Sequence, residues 1–426
     1  MQHLAYPHGV TRDALIEWYQ RYRSRTKEIF DLVTPDAYYE RPIALRNPIV
    51  FYEGHLPAFS VNTLAKLGHR RGGVDEKLEV LFARGIDPED EAAVKNPTDL
   101  WPSRDEVQEY GHKADALVLD LLAHAPLSDD AHPPLQRGEA VFTIIEHEAM
   151  HHETLLYMFH NLPYDKKVAR SPFTPAETRE RAVRSGGTVR IPRGRATLGA
   201  RRDSHYGWDN EFPQFTVDVP EFEIETHNVT NGAYLEYVEA TGAPAPHFWS
   251  RGDDGAWMRR GMFALEPLPL DAPVYVTHDE AAAYARWKGM RLPTEAEYHR
   301  AAFGTPSGID RLYPWGDDLP NAAHGNFDLQ SWDPVNVGSH PEGASAWGVH
   351  DLFGNGWEWT SSLFAGFDGF APMPSYSLYS TDFFDNAHYV LKGASPVTAR
   401  ELVRGTFRNW FRPNYPYVFA TFRCVK

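Results

Sequence analysis

With 426 residues the chain is too long for one ordinary core, and a content of 42% apolar and 13% aromatic residues supplies globular material for two domains. A formal net charge of -16 at pH 7 repels a phosphate backbone over most of the surface, which argues against nucleic-acid binding. Cys424 is the single cysteine, so neither an intrachain disulfide nor an all-thiolate metal site can form within one chain. The opening residues lack a basic stretch followed by an apolar core, and no apolar run is long enough to span a bilayer. The expectation is a soluble, cytoplasmic protein with no membrane partner.

From Thr11 to about Val33, the residues Leu15, Trp18, Tyr19, Tyr22, Ile29 and Phe30 recur at helical spacing, with Thr11 placed to cap them. Arg21, Arg23, Arg25 and Lys27 read as the solvated face of this first helix. A second helix is expected from Ile49 through Phe59 to Leu64, although Gly54 and Pro57 inside it cost about 1 and about 3 kcal/mol by intrinsic propensity. His55 lies in this apolar stretch and reads either as a core histidine or, with a metal nearby, as a ligand. Arg70 to Pro102 reads as a loop rich in Gly, Asp and Pro. Ser103 with Glu106 then gives a capping-box signature for a third helix through Val107, Tyr110, Ala114, Leu117, Leu121 and Leu122.

A fourth helix runs from Phe142 to Phe159, where Ile144, Ile145, Ala149, Leu155, Leu156 and Phe159 repeat without Pro or Gly. His147 and His151 stand one above the other on one of its faces, so two imidazoles can share one metal ion. The plainer reading is a polar helix face with surplus histidines. His152 and Glu153 point elsewhere and take no ligand role. Four helices with one longer connection suggest a bundle, a scaffold that builds metal sites from side chains on facing helices.

Leu162 to Gly187 is rich in Pro, Arg and Lys and lacks periodicity, which marks a linker. Beyond it, Thr188 to Pro192, Phe215 to Val219 and Phe222 to Glu225 read as short strands, with helices only near Thr230 to Ala240 and His278 to Lys288. The second half is therefore an α+β domain rich in loops and aromatic clusters. The boundaries are a helical bundle over 1–165, a linker over 166–187 and the second domain over 188–426.

Four runs in the second half carry a resemblance: Asn228-Val-Thr-Asn-Gly-Ala-Tyr234, Arg291-Leu-Pro-Thr-Glu-Ala-Glu-Tyr298, Tyr313-Pro-Trp-Gly-Asp317 and Asp351-Leu-Phe-Gly-Asn-Gly-Trp-Glu-Trp359. In this order they resemble the formylglycine-generating-enzyme (sulfatase-modifying factor) domain, which implies a C-type-lectin-like fold. The cysteine pair on which that enzyme depends has no counterpart, since Cys424 stands alone. Together with an N-terminal bundle, the chain resembles the ergothioneine-type sulfoxide synthases, non-haem iron enzymes that join a chalcogen to the imidazole of hercynine (trimethylhistidine). The resemblance implies a DinB-like four-helix bundle and an Fe(II) ion held by His55, His147 and His151. Three neutral imidazoles on one face of Fe(II) leave about three positions open, enough for hercynine, a second substrate and O2. Each ligand then needs an acceptor for its other ring N–H.

The resemblance also places substrate residues. Tyr376 matches a tyrosine near the iron, able to supply a proton or hydrogen bond during the oxygen chemistry. Tyr379, Asn409 and Trp410 match positions that line the hercynine pocket. A quaternary ammonium cannot donate hydrogen bonds, so the faces of Trp410 and Tyr379 would recognise it at about 0.5–2 kcal/mol each, while Asn409 would bond the carboxylate. The plain alternative is that these aromatics hold a loop-rich core together.

Departures from the family pattern bear on the second substrate. Members that use γ-glutamylcysteine carry clamping arginines before the third bundle helix and charged residues after the Asn-Trp pair. Here Ala92-Ala-Val-Lys-Asn-Pro97 offers only Lys95, Phe411 follows Trp410, Tyr415 stands where an arginine is expected, and Met150 replaces a glutamine. An apolar and aromatic wall does not suit a dianionic peptide. The strings around His55, His147 and Trp410 look most like the selenoneine synthase branch, which joins hercynine to a selenosugar; C–S bond formation with cysteine or another thiol is the alternative. Two other classes compete. His147-Glu148-Ala-Met-His151 is a literal His-Glu-x-x-His, the zinc-hydrolase motif, and lectin-like domains often bind ligands without chemistry.

Overall fold

The computed structural model describes residues 9–83, 101–171 and 187–426. The chain divides into two compact units. The first comprises Met1–Arg170 with two short segments from later in the sequence, Arg202–Trp208 and Pro372–Tyr379; the second comprises Ser171–Arg201, Asp209–Ala371 and Ser380–Lys426.

In the first unit α1 (Arg12–Phe30) starts where the Thr11 hydroxyl accepts the Ala14 N–H. α2 (Ile49–Ser60) passes directly into a π-helical stretch, Val61–Gly68, that begins four residues after Pro57. A short helix, α3 (Glu76–Leu81), capped by Asp75, occupies part of the expected loop; Lys95 and its neighbours lie outside the described residues. α4 (Arg104–His124) opens on the full Ser103/Glu106 capping box, and α5 (Glu139–His160) follows. α1 packs on α4 and α5, and α2 packs on the same two, which closes the four long helices into a bundle.

Every residue of α2 except Glu53 is buried, and α5 is buried on almost every side, as expected of helices that are apolar all round. Gly54 is needed because a Cβ there would stand 2.4 Å from the Phe82 ring. One surface expectation is corrected. Arg23 belongs to no solvated face: its guanidinium pairs with Asp115 at 2.8 Å and with buried Glu148 at 2.7 Å.

The second unit is built from small sheets. β1 (Thr188–Ile191) pairs with β4 (Phe222–Glu225), and β2 (Gly194–Leu198) with β3 (Phe215–Val219), both antiparallel. β5 (Trp249–Arg251), β6 (Trp257–Arg260) and β7 (Leu265–Pro267) form a meander. The largest sheet has the order β10 (Asn409–Phe411), β9 (Tyr389–Ala394), β8 (Gly356–Leu363), β11 (Ala420–Thr421), with β11 parallel to β8. α6 (Asn231–Thr241) and α7 (His278–Trp287) lie where periodicity placed them, and α8 (Glu295–Ala302) is an addition whose Thr294/Glu297 capping box lies inside one of the sequence motifs. Ile191, Ile224, Tyr298, Leu352 and Val425 centre the core. Among the described residues no helix is long and apolar enough to cross a membrane.

Candidate metal centre

α2 contributes His55, and α5 contributes His147 and His151; one ring nitrogen from each lies within 4.8 Å of the other two. The Nε2 atoms of His147 and His151 are 3.1 Å apart. Two nitrogens at about 2.1 Å from a shared ion and at right angles to one another would be about 3.0 Å apart, so the pair suits an ion without rearrangement. His55 Nδ1 donates to the Phe82 carbonyl at 2.9 Å, and because a carbonyl can only accept, the proton is fixed on Nδ1 and the lone pair on Nε2. Desolvation, then the neighbouring His151 and His55, pushes His147 well below the usual histidine range; desolvation followed by His55 does the same to His151. Both rings are therefore neutral at pH 7, the form that binds metal. Among the described residues no Asp, Glu or Cys joins the group.

Aromatic rings sheathe the cluster. Phe59 stacks on His147 at 3.5 Å between ring centroids, and Phe51 stacks on His55 at 5.0 Å. Glu148, in contrast, is turned to another face of α5, where its Oε1 accepts from Arg23 and from the Thr26 hydroxyl. The same hydroxyl lies 2.8 Å from His152 Nε2. A glutamate that activates metal-bound water has to face the ion; here it is committed to a guanidinium on α1.

The segment 372–379 brings Tyr376 to the cluster, its ring centroid 6.3 Å from that of His147 and 5.1 Å from that of Phe59. Tyr379 lies 5.7 Å from Tyr376, and its hydroxyl donates to Met150 Sδ at 3.3 Å. Six of the residues singled out from sequence, His55, His147, Met150, His151, Tyr376 and Tyr379, thus belong to the first unit. Asn409, Trp410, Phe411 and Tyr415 belong to the second. There Trp410 stacks on Phe364 at 4.1 Å, and Phe411 on Tyr415 at 5.4 Å. The Asn409 carbonyl oxygen accepts the Trp410 N–H at 2.9 Å, which leaves its amide NH2 as the donating end.

Sequence reasoning missed Phe59, Glu146 and Trp208. Trp208 stacks on Tyr379 at 4.0 Å and donates its indole N–H to Glu146 at 2.7 Å. The one available signal was Glu146 itself, a carboxylate directly after Ile144 and Ile145 and directly before His147.

A helical bundle with a three-histidine cluster, followed by an α+β unit of small sheets, defines a two-part class of protein. Residues 19–155 match the DinB superfamily, and residues 172–426 match the sulfatase-modifying factor enzyme 1-like domain. The chain is 36% identical over 333 residues to the hercynine oxygenase of Mycolicibacterium smegmatis, covering 72% of this chain and 74% of that one. It is 34% identical over 344 residues to the hercynine oxygenase of Mycobacterium tuberculosis, covering 76% and 78%. Ergothioneine biosynthesis protein 1 of Neurospora crassa is 28% identical over 491 residues, which cover 91% of this chain and 54% of that longer protein. The chain belongs to the ergothioneine-type sulfoxide synthase family.

Proposed function

We propose that the protein is an Fe(II)- and O2-dependent enzyme that joins an imidazole carbon of hercynine to a chalcogen donor. The observation that carries this reading is the cluster of three imidazoles with Tyr376 beside it, in a chain whose relatives are named hercynine oxygenases. One turnover balances as hercynine plus a thiol plus O2 giving the sulfoxide and one water: the ring C–H and thiol S–H are lost, a C–S bond forms, and the sulfur takes one oxygen atom. O2 accepts the four electrons.

His55, His147 and His151 would hold the iron, which when bound supplies the redox chemistry that O2 needs. The Phe82 carbonyl orients His55 for that task. Tyr376 would hold or deliver a proton at its phenol oxygen. Trp410 and Tyr379 would receive the trimethylammonium group, and the Asn409 amide would donate to the carboxylate. Phe51 and Phe59 cover the rings of His55 and His147.

Sulfur is the donor element that the names of the relatives favour, with cysteine or another thiol as its carrier. A selenosugar is the second reading, favoured by Met150, Phe411 and Tyr415: a stacked aromatic pair and a thioether suit a neutral sugar better than a dianionic peptide. The deciding experiment gives purified protein Fe(II), hercynine and air with cysteine, γ-glutamylcysteine, a thiosugar or a selenosugar, and follows O2 uptake and product mass. Uptake with one donor class is expected; none with any donor would favour a binding protein. Trp410→Ala should weaken hercynine binding about 2- to 30-fold while leaving histidine, which lacks the methyl groups, almost unaffected. Equal affinity for hercynine in variant and parent would remove Trp410 from the pocket.

A further inference from the structure

Glu146 and Trp208 have no part in the chemistry just described, yet Glu146 adjoins His147 in sequence and Trp208 covers Tyr379. On α5 the residues Glu139, Thr143, Glu146 and Met150 follow the spacing of a single helical stripe, and each is tied to one of the two later segments of the same unit. Glu139 accepts the Ser375 backbone N–H at 2.8 Å. Thr143 lies 2.9 Å from the Ser375 hydroxyl, Glu146 takes the Trp208 indole N–H, and Met150 takes the Tyr379 hydroxyl.

Within this row the Glu146 contact differs in kind. Its carboxyl group is fully buried, and the indole offers a single donor in the plane of its ring, so a hydrogen bond of 2.7 Å fixes that plane. The stack at 4.0 Å passes the orientation on to Tyr379. Tyr379 in turn donates its backbone N–H to the Tyr376 carbonyl at 3.1 Å, so the two tyrosines ride on one turn. We propose that Glu146 and Trp208 are positioning residues, a buried clasp that sets the plane of Tyr379 and thereby holds the Tyr376 phenol beside the three-histidine cluster.

The structural half of this proposal stands without iron or substrate, whereas its consequence for turnover rests on the proposed function. It is tested first in the metal-free full-length protein carrying [13C]methyl-methionine, where 7 methionines give a readable spectrum and Met150→Leu assigns the Met150 signal. Glu146→Leu keeps the bulk but removes the acceptor, and should move the Met150 methyl resonance as the Tyr379 ring leaves it. Glu146→Gln, which retains an acceptor oxygen, should restore the resonance. Trp208→Phe, which keeps an aromatic face without the N–H, serves if Glu146→Leu does not fold.

In the iron-loaded protein, with whichever donor is turned over, Glu146→Leu should lower kcat roughly 10- to 100-fold. KM for hercynine should rise as well, because Tyr379 also faces the trimethylammonium group, product partition should shift as in Tyr376→Phe, and Glu146→Gln should rescue both. A Met150 resonance unmoved in Glu146→Leu and Trp208→Phe would overturn the clasp. A moved resonance with kcat and partition unchanged would reduce it to a structural contact. If the parent protein turns over no donor, the proposed function falls, and the Met150 resonance judges the clasp alone.

Discussion

His147 illustrates how much of a metal ligand is decided before any metal binds: burial keeps it neutral, Phe59 fixes its ring plane, and His151 holds a second nitrogen 3.1 Å away. His147→Ala should therefore lose bound iron and activity together, measured by metal analysis and O2 uptake. Tyr376→Phe should retain iron and change rate or product partition. An active His147→Ala protein would disprove the ligand set. Gly54 makes a subtler test. An added methyl would strike Phe82, whose carbonyl orients His55, so Gly54→Ala should cost about 1–3 kcal/mol of stability by overpacking. It should also weaken iron binding roughly 10- to 100-fold, read from a metal titration. The i,i+4 histidine pair was legible from spacing. His55 was not, because a single histidine in an apolar run carries no signal until a fold sets it opposite a partner.

Helices were legible to the extent that their ends are written locally. The Ser103/Glu106 box is present in full, with the serine hydroxyl accepting the Glu106 N–H and the glutamate accepting the Ser103 N–H at 2.9 Å. Ser103→Ala should destabilise the protein by about 1 kcal/mol, seen as a lower urea midpoint at constant slope, while Ser103→Asp should recover most of it. α8 shows a signal that was present but unused, since Thr294 and Glu297 form the same box inside a motif read for its resemblance instead. Arg23 shows the opposite case. It lies four residues after Tyr19 and one after Tyr22, at the edge of the buried stripe of α1, and only the arrival of Asp115 and Glu148 from α4 and α5 makes that position suit a guanidinium. Composition cannot distinguish such an arginine from a solvated one.

At the level of the whole molecule, buried charge makes stability depend on pH. Burial pushes the Asp351 carboxyl up to about 6, against the Gly338 N–H that it accepts at 2.7 Å and the nearby Arg423, both of which favour ionisation. A carboxyl whose value is raised on folding stabilises the protein while protonated. This contribution is complete below about pH 4 and is lost as pH rises through about 6, a change of about 3 kcal/mol at most. Asp351→Asn keeps an acceptor oxygen without the charge and tolerates the left-handed backbone there, φ 54°. Relative to the parent, the variant should gain stability between urea melts at pH 5 and pH 7.5; an unchanged difference would mean that Asp351 ionises freely in the folded state.

By itself the sequence determined the two-part architecture, most helix ends, the paired histidines and the family, because periodicity, capping residues and ordered motifs are properties of neighbours along the chain. Tertiary structure alone decided which way Glu148 faces, why Gly54 sits in a helix, and that residues 202–208 and 372–379 belong to the helical unit. Those outcomes depend on residues that meet far from their own neighbourhood in the chain, as Gly54 with Phe82 and Trp208 with Tyr379 do. Local spacing holds no record of such meetings, since they arise only when packing closes.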